Sequence, residues 1–98
     1  MACFDIHRTA GGLVVDVQSD LIAILSTRVV VPLIPPGRAP APARRLNPVF
    51  TLAEAGTVVF VAQYIAALPR AELGAPLGSL AGQSDAIRAA LDMLFLGF

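Results

Sequence analysis

From Cys3 to Arg8 polar and apolar residues alternate, with Phe4 and Ile6 on one face and Asp5 and His7 on the other, which predicts a half-buried strand. Gly11 and Gly12 then supply a turn. Leu13 to Gln18 resumes the β pattern, rich in β-branched residues, with Val15 and Val17 on one face and Val14 and Asp16 on the other. These two runs read as a hairpin. Ser19, Asp20, Leu21 and Ile22 lead out of it, and Arg28 to Leu33 reads as a third strand. There Val29, Val30 and Val31 precede Pro32, whose missing N–H predicts a strand end or an edge. A second hairpin, Pro48 to Leu52 and Thr57 to Tyr64, turns through Glu54, Ala55 and Gly56, and its apolar content predicts central strands. Ile65 to Gly78, interrupted by Pro69 and Pro76, holds one or two short strands.

Only the final stretch carries a long helical period. In Ser84 to Phe98 the residues Ile87, Leu91, Leu94, Phe95 and Phe98 draw one apolar stripe. Ser84 is placed as N-cap, Asp85 sits where the helix dipole favours an acid, and Gly97 suits the residue just past a helix end. Large side chains crowd the end of this helix: Met93, Leu94, Phe95, Leu96 and Phe98. Either all five dock on the sheet, or the helix face docks while Leu96, Gly97 and Phe98 project as an apolar anchor for another protein.

Short strands followed by one helix predict a mainly β fold, a small, strongly curved antiparallel sheet or SH3-like barrel carrying a C-terminal α-helix. At 98 residues one domain, 1–98, is expected, with enough buried surface for a small core. Six of the eight prolines fall between Pro32 and Pro48, so Ile34 to Pro48 reads as a mobile or polyproline-like surface loop.

Charge changes the picture little. Seven basic residues, all arginine, balance seven acidic ones, and only Arg44 and Arg45 are adjacent, so nucleic acid is not expected as a partner. Sparse charge, 14% of residues, leaves apolar surface for a homodimer to cover. One cysteine, Cys3, excludes an internal disulfide and fits a reducing cytoplasm. No secretory leader and no membrane span are expected, since the apolar runs are short.

Catalytic signals are thin. Asp16 and Asp20 lie on a strand and the turn after it, so nothing brings their carboxylates together, and solvated or capping roles are expected. His7 is expected at the surface or hydrogen-bonded in the core. Ser26, Thr27 and Arg28 form a hydroxyl and guanidinium triplet of a kind that holds phosphate. No glycine-rich phosphate loop, nucleophile elbow or metal-ligand spacing is present, and no cofactor is implied. The residues describe a small, non-enzymatic interaction protein.

Three pieces in order, LVVDVQSDLI at Leu13 to Ile22, RVVVPL at Arg28 to Leu33 and AIRAALDMLFLGF at Ala86 to Phe98, resemble the CcdB family of plasmid and chromosomal toxins. Leu46 to Val49, Leu-Asn-Pro-Val, and Phe95 with Gly97 shortly after it fall at the separations the family shows. Ile34 to Arg45 and Ala53 to Pro76 are similar only in character. The resemblance implies a five-stranded antiparallel sheet with a smaller three-stranded one and a terminal helix, assembled as a homodimer. It implies a poison that enters the opened DNA gyrase A protein and traps the cleaved-DNA complex, neutralised by a CcdA-like antitoxin that wraps a disordered segment around it. Carried over by position, gyrase contacts fall on Leu21, Ile22, Asp92, Leu96, Gly97 and Phe98, and dimer contacts on Met93 and Phe95. Strongly active family toxins typically carry Trp, Asn and Ile where this chain has Leu96, Asp92 and Phe98. Two further readings follow: a CcdB-like protein that binds an antitoxin or other partner without poisoning gyrase, and a ribonuclease using Arg28 with His7 or Thr27.

Overall fold

A computed structural model describes residues 2–53 and 55–98. Among the described residues seven strands form one curled antiparallel sheet, and a single α-helix follows them. The strands are β1 (Asp5–Thr9), β2 (Gly12–Asp16), β3 (Thr27–Ile34), β4 (Val49–Leu52), β5 (Gly56–Phe60), β6 (Ala66–Pro69) and β7 (Gly78–Ser79), and the helix is α1 (Ser84–Leu96). The order across the sheet is β4-β5-β3-β2-β1-β7, with β6 also paired to β3. The structure thus gives the mainly β fold expected, as a half-barrel rather than a closed barrel. The edge strands face each other across a slot of about 280 Å³, with Thr51 and Leu52 on the β4 side and Leu77 to Leu80 on the β7 side.

The first hairpin turns where Gly12 takes φ +124°, a conformation that a side chain would strain. β1 begins only after Phe4, whose φ of +72° breaks the extended run predicted from Cys3. Pro32 corrects the expectation of a strand end or edge, because it lies inside β3, a central strand. Its carbonyl accepts the Val61 N–H at 3.1 Å, so its amide side faces the fork of the sheet. There β3 leaves β6, paired through Val30, and meets β5, paired from Leu33. A missing donor costs nothing at such a gap.

The second hairpin, β4 and β5, forms with the register expected of adjacent strands, from Val49 opposite Val59 to Leu52 opposite Gly56. Of its predicted turn, Glu54 falls outside the described residues, and Gly56 opens β5 with a left-handed φ of +70°. β4 is an edge strand, not a central one. Phe50 and Leu52 bury one face of it, and the apolar content reflects that single face. The proline-rich stretch after β3 carries no strand or helix and is anchored at its end by the buried Asn47. That side chain accepts the Ala43 N–H at 2.9 Å and donates to the Phe60 carbonyl and to Gln63.

Both faces of the sheet are covered. Ile6, Val15 and Val31 form one cross-strand row in the main core, beneath Ile87 and Ala90 of α1, with Phe50 and Phe60 packed edge to face at 6.2 Å. On the other face Val14 and Val30 pack against Leu73 and Leu68. His7 lies on this second face and is fully buried, so β1 is covered on both sides rather than half-buried. The expected stripe on α1 is only partly used: Ile87 is buried, Leu91 and Leu94 pack on the core, and Phe95 and Phe98 are exposed.

Candidate functional site

Two apolar projections stand on the ends of well-anchored elements. The first is the tip of α1. Ser84 begins the helix without acting as its cap, because a 3-10 turn at Ala81–Gln83 leads straight into it and Gln83 occupies the cap position with no side-chain bond. Ile87 and Ala90 seat the first turns in the core. Leu91 and Leu94 still pack on the core, and past them Phe95, Leu96 and Phe98 are 63%, 62% and 73% exposed. Gly97 ends the helix in the left-handed conformation, φ +81°, its N–H shared between the Asp92 and Met93 carbonyls at 3.1 Å each. Asp92 is exposed, Met93 is half-buried, and no basic residue occupies the last turn. An acid there opposes the helix dipole and joins no salt bridge among the described residues.

The second projection is the loop from Ser19 to Leu25. Leu21 and Ile24 are 94% and 91% exposed, and Ile22 and Leu25 nearly half so. Polar side chains between Asp16 and Asp20, together with Arg70, hold this knuckle in place. The Asp16 carboxylate accepts the Gln18 N–H at 2.9 Å, and Ser19 Oγ accepts the Leu21 N–H at 3.1 Å. Gln18 donates to the Ile22 carbonyl at 3.0 Å and accepts the Val29 N–H. Asp20 accepts the Cys3 N–H at 2.9 Å, and Arg70 donates to the Ala23 carbonyl at 3.0 Å. A short 3-10 turn, Asp20–Ile22, results. Apolar side chains are therefore displayed by a polar frame instead of being folded inward.

Beneath the loop lies a buried ion pair. Arg28 Nε donates to Asp16 Oδ2 at 2.7 Å, both side chains having no exposed surface, while Asp20 lies 3.9 Å from Arg28 Nη2. The expectation of a solvated Asp16 is thereby corrected, and both carboxylates converge on one guanidinium: the partner sits across the sheet, beyond the reach of local spacing. Its capping role stands, through Gln18. The hydrogen bond to Asp16 raises the Arg28 pKa and keeps it cationic. Arg28 Nη1 and Nη2 have no hydrogen-bond partner among the described residues. Cys3, partly buried beside this cluster, has its thiol pKa raised, first by burial and then by the Asp16 and Asp20 charges.

His7 is a hydrogen-bonded core residue, its Nδ1 2.7 Å from the Gly74 carbonyl. The Ser26, Thr27 and Arg28 triplet is split by strand alternation, since Thr27 faces solvent and Arg28 the interior. His7 and Arg28, two of the residues a ribonuclease would use, are both fully buried. Among the described residues no group of three His, Cys, Asp or Glu is placed to hold a metal, and no helix is long and apolar enough to cross a membrane.

Of the residues singled out in the sequence, Leu21, Ile22, Leu96 and Phe98 are exposed, Met93 half-buried and Phe95 exposed. The chief packing partners of α1 are the turns at 62–64 and 81–83, and the 19–25 loop is not one of them. Ile24 and Leu25 were missed. Their signal was an apolar run, IAIL, with no alternation to assign it a buried face.

A family model described as CcdB protein matches residues 4–97. No curated protein sequence matches the chain. Among solved structures, an endoribonuclease in complex with its cognate antitoxin, from a Mycobacterial species, is similar with a TM-score of 0.79 and 19% identity, covering 100% of this chain and 98% of that one. At that identity the likeness is one of fold.

Proposed function

The chain belongs to the CcdB family, and on that premise we propose that it is the toxin of a toxin–antitoxin module, acting in the cytoplasm as a single-domain protein. Two copies form a homodimer through Met93 and Phe95. The helix tips, Leu96, Gly97 and Phe98 with Asp92, and the loop residues Leu21 and Ile22 bind the DNA gyrase A protein and trap the cleaved-DNA complex. A CcdA-like antitoxin relieves the block. The action is stoichiometric and non-enzymatic.

One observation carries this reading: α1 is anchored by its first half while Phe95, Leu96 and Phe98 stay out of the core. Apolar side chains held in water by a capped helix lower the free energy of a complex that covers them, at roughly 25 cal/mol per Å² of apolar surface. Gly97 contributes by ending the helix at a defined place, so that Phe98 has a fixed direction.

The test is growth after induced expression in a host without antitoxin, alongside a deletion of Leu96 to Phe98, followed by a cleavage assay with purified gyrase. Arrest by the full chain, loss of arrest in a truncation that still folds, and accumulation of cleaved DNA are expected. The second reading, a relative that binds an antitoxin or other partner without poisoning gyrase, is favoured by Leu96, Asp92 and Phe98, where strongly active family toxins typically carry Trp, Asn and Ile. Normal growth together with uncleaved DNA, using the gyrase of the source organism, would select it. A ribonuclease reading loses Arg28 and His7 to burial and keeps only Thr27 at the surface, and RNA left intact by the purified protein is expected.

A further inference from the structure

Arg28 is fully buried, yet its guanidinium is only partly satisfied. Nε donates to Asp16 Oδ2 at 2.7 Å, while Nη1 and Nη2 have no hydrogen-bond partner among the described residues. Asp16 has its other oxygen engaged as well, since Oδ1 accepts the Gln18 N–H at 2.9 Å. Buried N–H groups without an acceptor are costly, those of a cation most of all, so the enclosed guanidinium attracts any carboxylate that can approach it.

One stands close by. Asp20 Oδ1 lies 3.9 Å from Arg28 Nη2, about 1 Å beyond the length of a charge-assisted hydrogen bond. The same oxygen accepts the Cys3 N–H at 2.9 Å. Two donors therefore compete for one carboxylate oxygen, the first a main-chain amide near the surface and the second a buried cation. The Asp20 side chain is 62% exposed, so hydration favours the first arrangement and ionic attraction the second. What moves with Asp20 is the knuckle: it is the first residue of the 3-10 turn Asp20–Ile22, and its carbonyl accepts the Ala23 N–H at 3.3 Å. Leu21 follows it directly, and Ile24 lies just past the turn.

We infer that Asp20 is a latch with two settings, on the Cys3 N–H or on Arg28 Nη2, and that its setting fixes how far the 19–25 loop stands off the sheet. In the first setting, the one the structure holds, the loop is tied to the start of the chain. In the second the carboxylate closes on the guanidinium, the Cys3 amide is released, and the turn that carries Leu21 is drawn inward by about 1 Å. An apolar loop with two discrete positions is thereby governed by one surface acid and one buried base. Neither gyrase nor any other partner of the loop enters into this.

NMR of the full chain and of Asp20→Asn tests it. In the unaltered chain the amides of Cys3, Leu21 and Ile24 and the Arg28 Nε–H should show relaxation dispersion with one shared rate, in the microsecond to millisecond range of loop rearrangements. Asparagine keeps an oxygen for the Cys3 N–H but has no charge to offer Arg28. Asp20→Asn should therefore abolish the dispersion and slow solvent exchange of the Cys3 amide by at least about threefold. A merely structural role predicts the opposite sign, because a neutral acceptor holds an N–H less tightly than a carboxylate does. The double variant Asp16→Leu with Arg28→Met leaves Asp20 without a competing cation, and it should slow the Cys3 amide as well. Unchanged or faster Cys3 exchange in Asp20→Asn overturns the inference whether or not the double variant folds, and the same result in a folded double variant overturns it too. Absence of shared dispersion in the unaltered chain, or its survival in Asp20→Asn, does so equally.

Discussion

At the scale of single residues the buried pair of Asp16 and Arg28 makes the sharpest prediction. Removing one partner of a buried ion pair leaves an uncompensated charge, so Asp16→Asn should cost about 3–5 kcal/mol in urea denaturation. Replacing both, as Asp16→Leu with Arg28→Met, should cost far less, because no charge remains to be desolvated. Equal losses in the two variants would show that the pair itself holds the loop. Since the hydrogen bond to Asp16 raises the Arg28 pKa above its already strongly basic ordinary value, the guanidinium stays charged at every working pH, and its own contribution is lost only in strong alkali. Cys3 gives a pH readout in an accessible range. Its folded pKa is raised from 9.0, so the folded protein holds the thiol proton more tightly, and stability from this group is present below pH 9.0 and lost above it. Iodoacetamide should accordingly modify native Cys3 more slowly than the urea-unfolded chain near pH 9.0, where the unfolded thiol is half ionised. Matching pH profiles for native and unfolded protein would contradict the partial burial of this thiol.

At the scale of elements α1 divides in two, and the halves should respond oppositely. Ile87→Ala empties a fully buried site and should cost about 2–5 kcal/mol. Deleting Leu96 to Phe98 removes exposed side chains and should change the urea midpoint by no more than about 0.5 kcal/mol equivalent. A truncation as damaging as Ile87→Ala would return the tip to the core. Much of this was legible in the sequence: alternation marked β1 to β3, and the helical period with Gly97 marked α1 and its end. Local patterns failed where the covering element comes from far along the chain. Nothing near His7 announces Leu73 and Gly74, nothing near Asp16 announces Arg28, and an edge strand with one buried face, β4, reads as apolar as a central one. Ser84 looked like a cap because the preceding 3-10 turn has no sequence signature of its own. Of the candidate site, the apolar tip was visible as a cluster of large residues, while its exposure required knowing that the core contacts of α1 stop at Leu94.

At the scale of the whole molecule the question is what covers the apolar surface. Leu21, Ile24, Tyr64, Phe95, Leu96 and Phe98 are each more than half exposed on a 10.2 kDa chain. Large apolar side chains exposed in such number on a small protein mark an interface. The half-barrel offers no interior to receive these residues, because both faces of the sheet are already occupied. Homodimerisation through Met93 and Phe95 follows as the proposed solution, and light scattering should then give twice the 10.2 kDa chain mass at micromolar concentration. The melting temperature should rise with protein concentration, as it does whenever association and folding are linked. Phe95→Asp should halve the mass and abolish that dependence, because a carboxylate in the contact would have to be desolvated without a partner. The same variant should leave the far-UV spectrum unchanged, since Phe95 is 63% exposed in the single chain. A dimer that survives Phe95→Asp and Met93→Asp together would place the interface elsewhere, with the 19–25 loop the next face to vary.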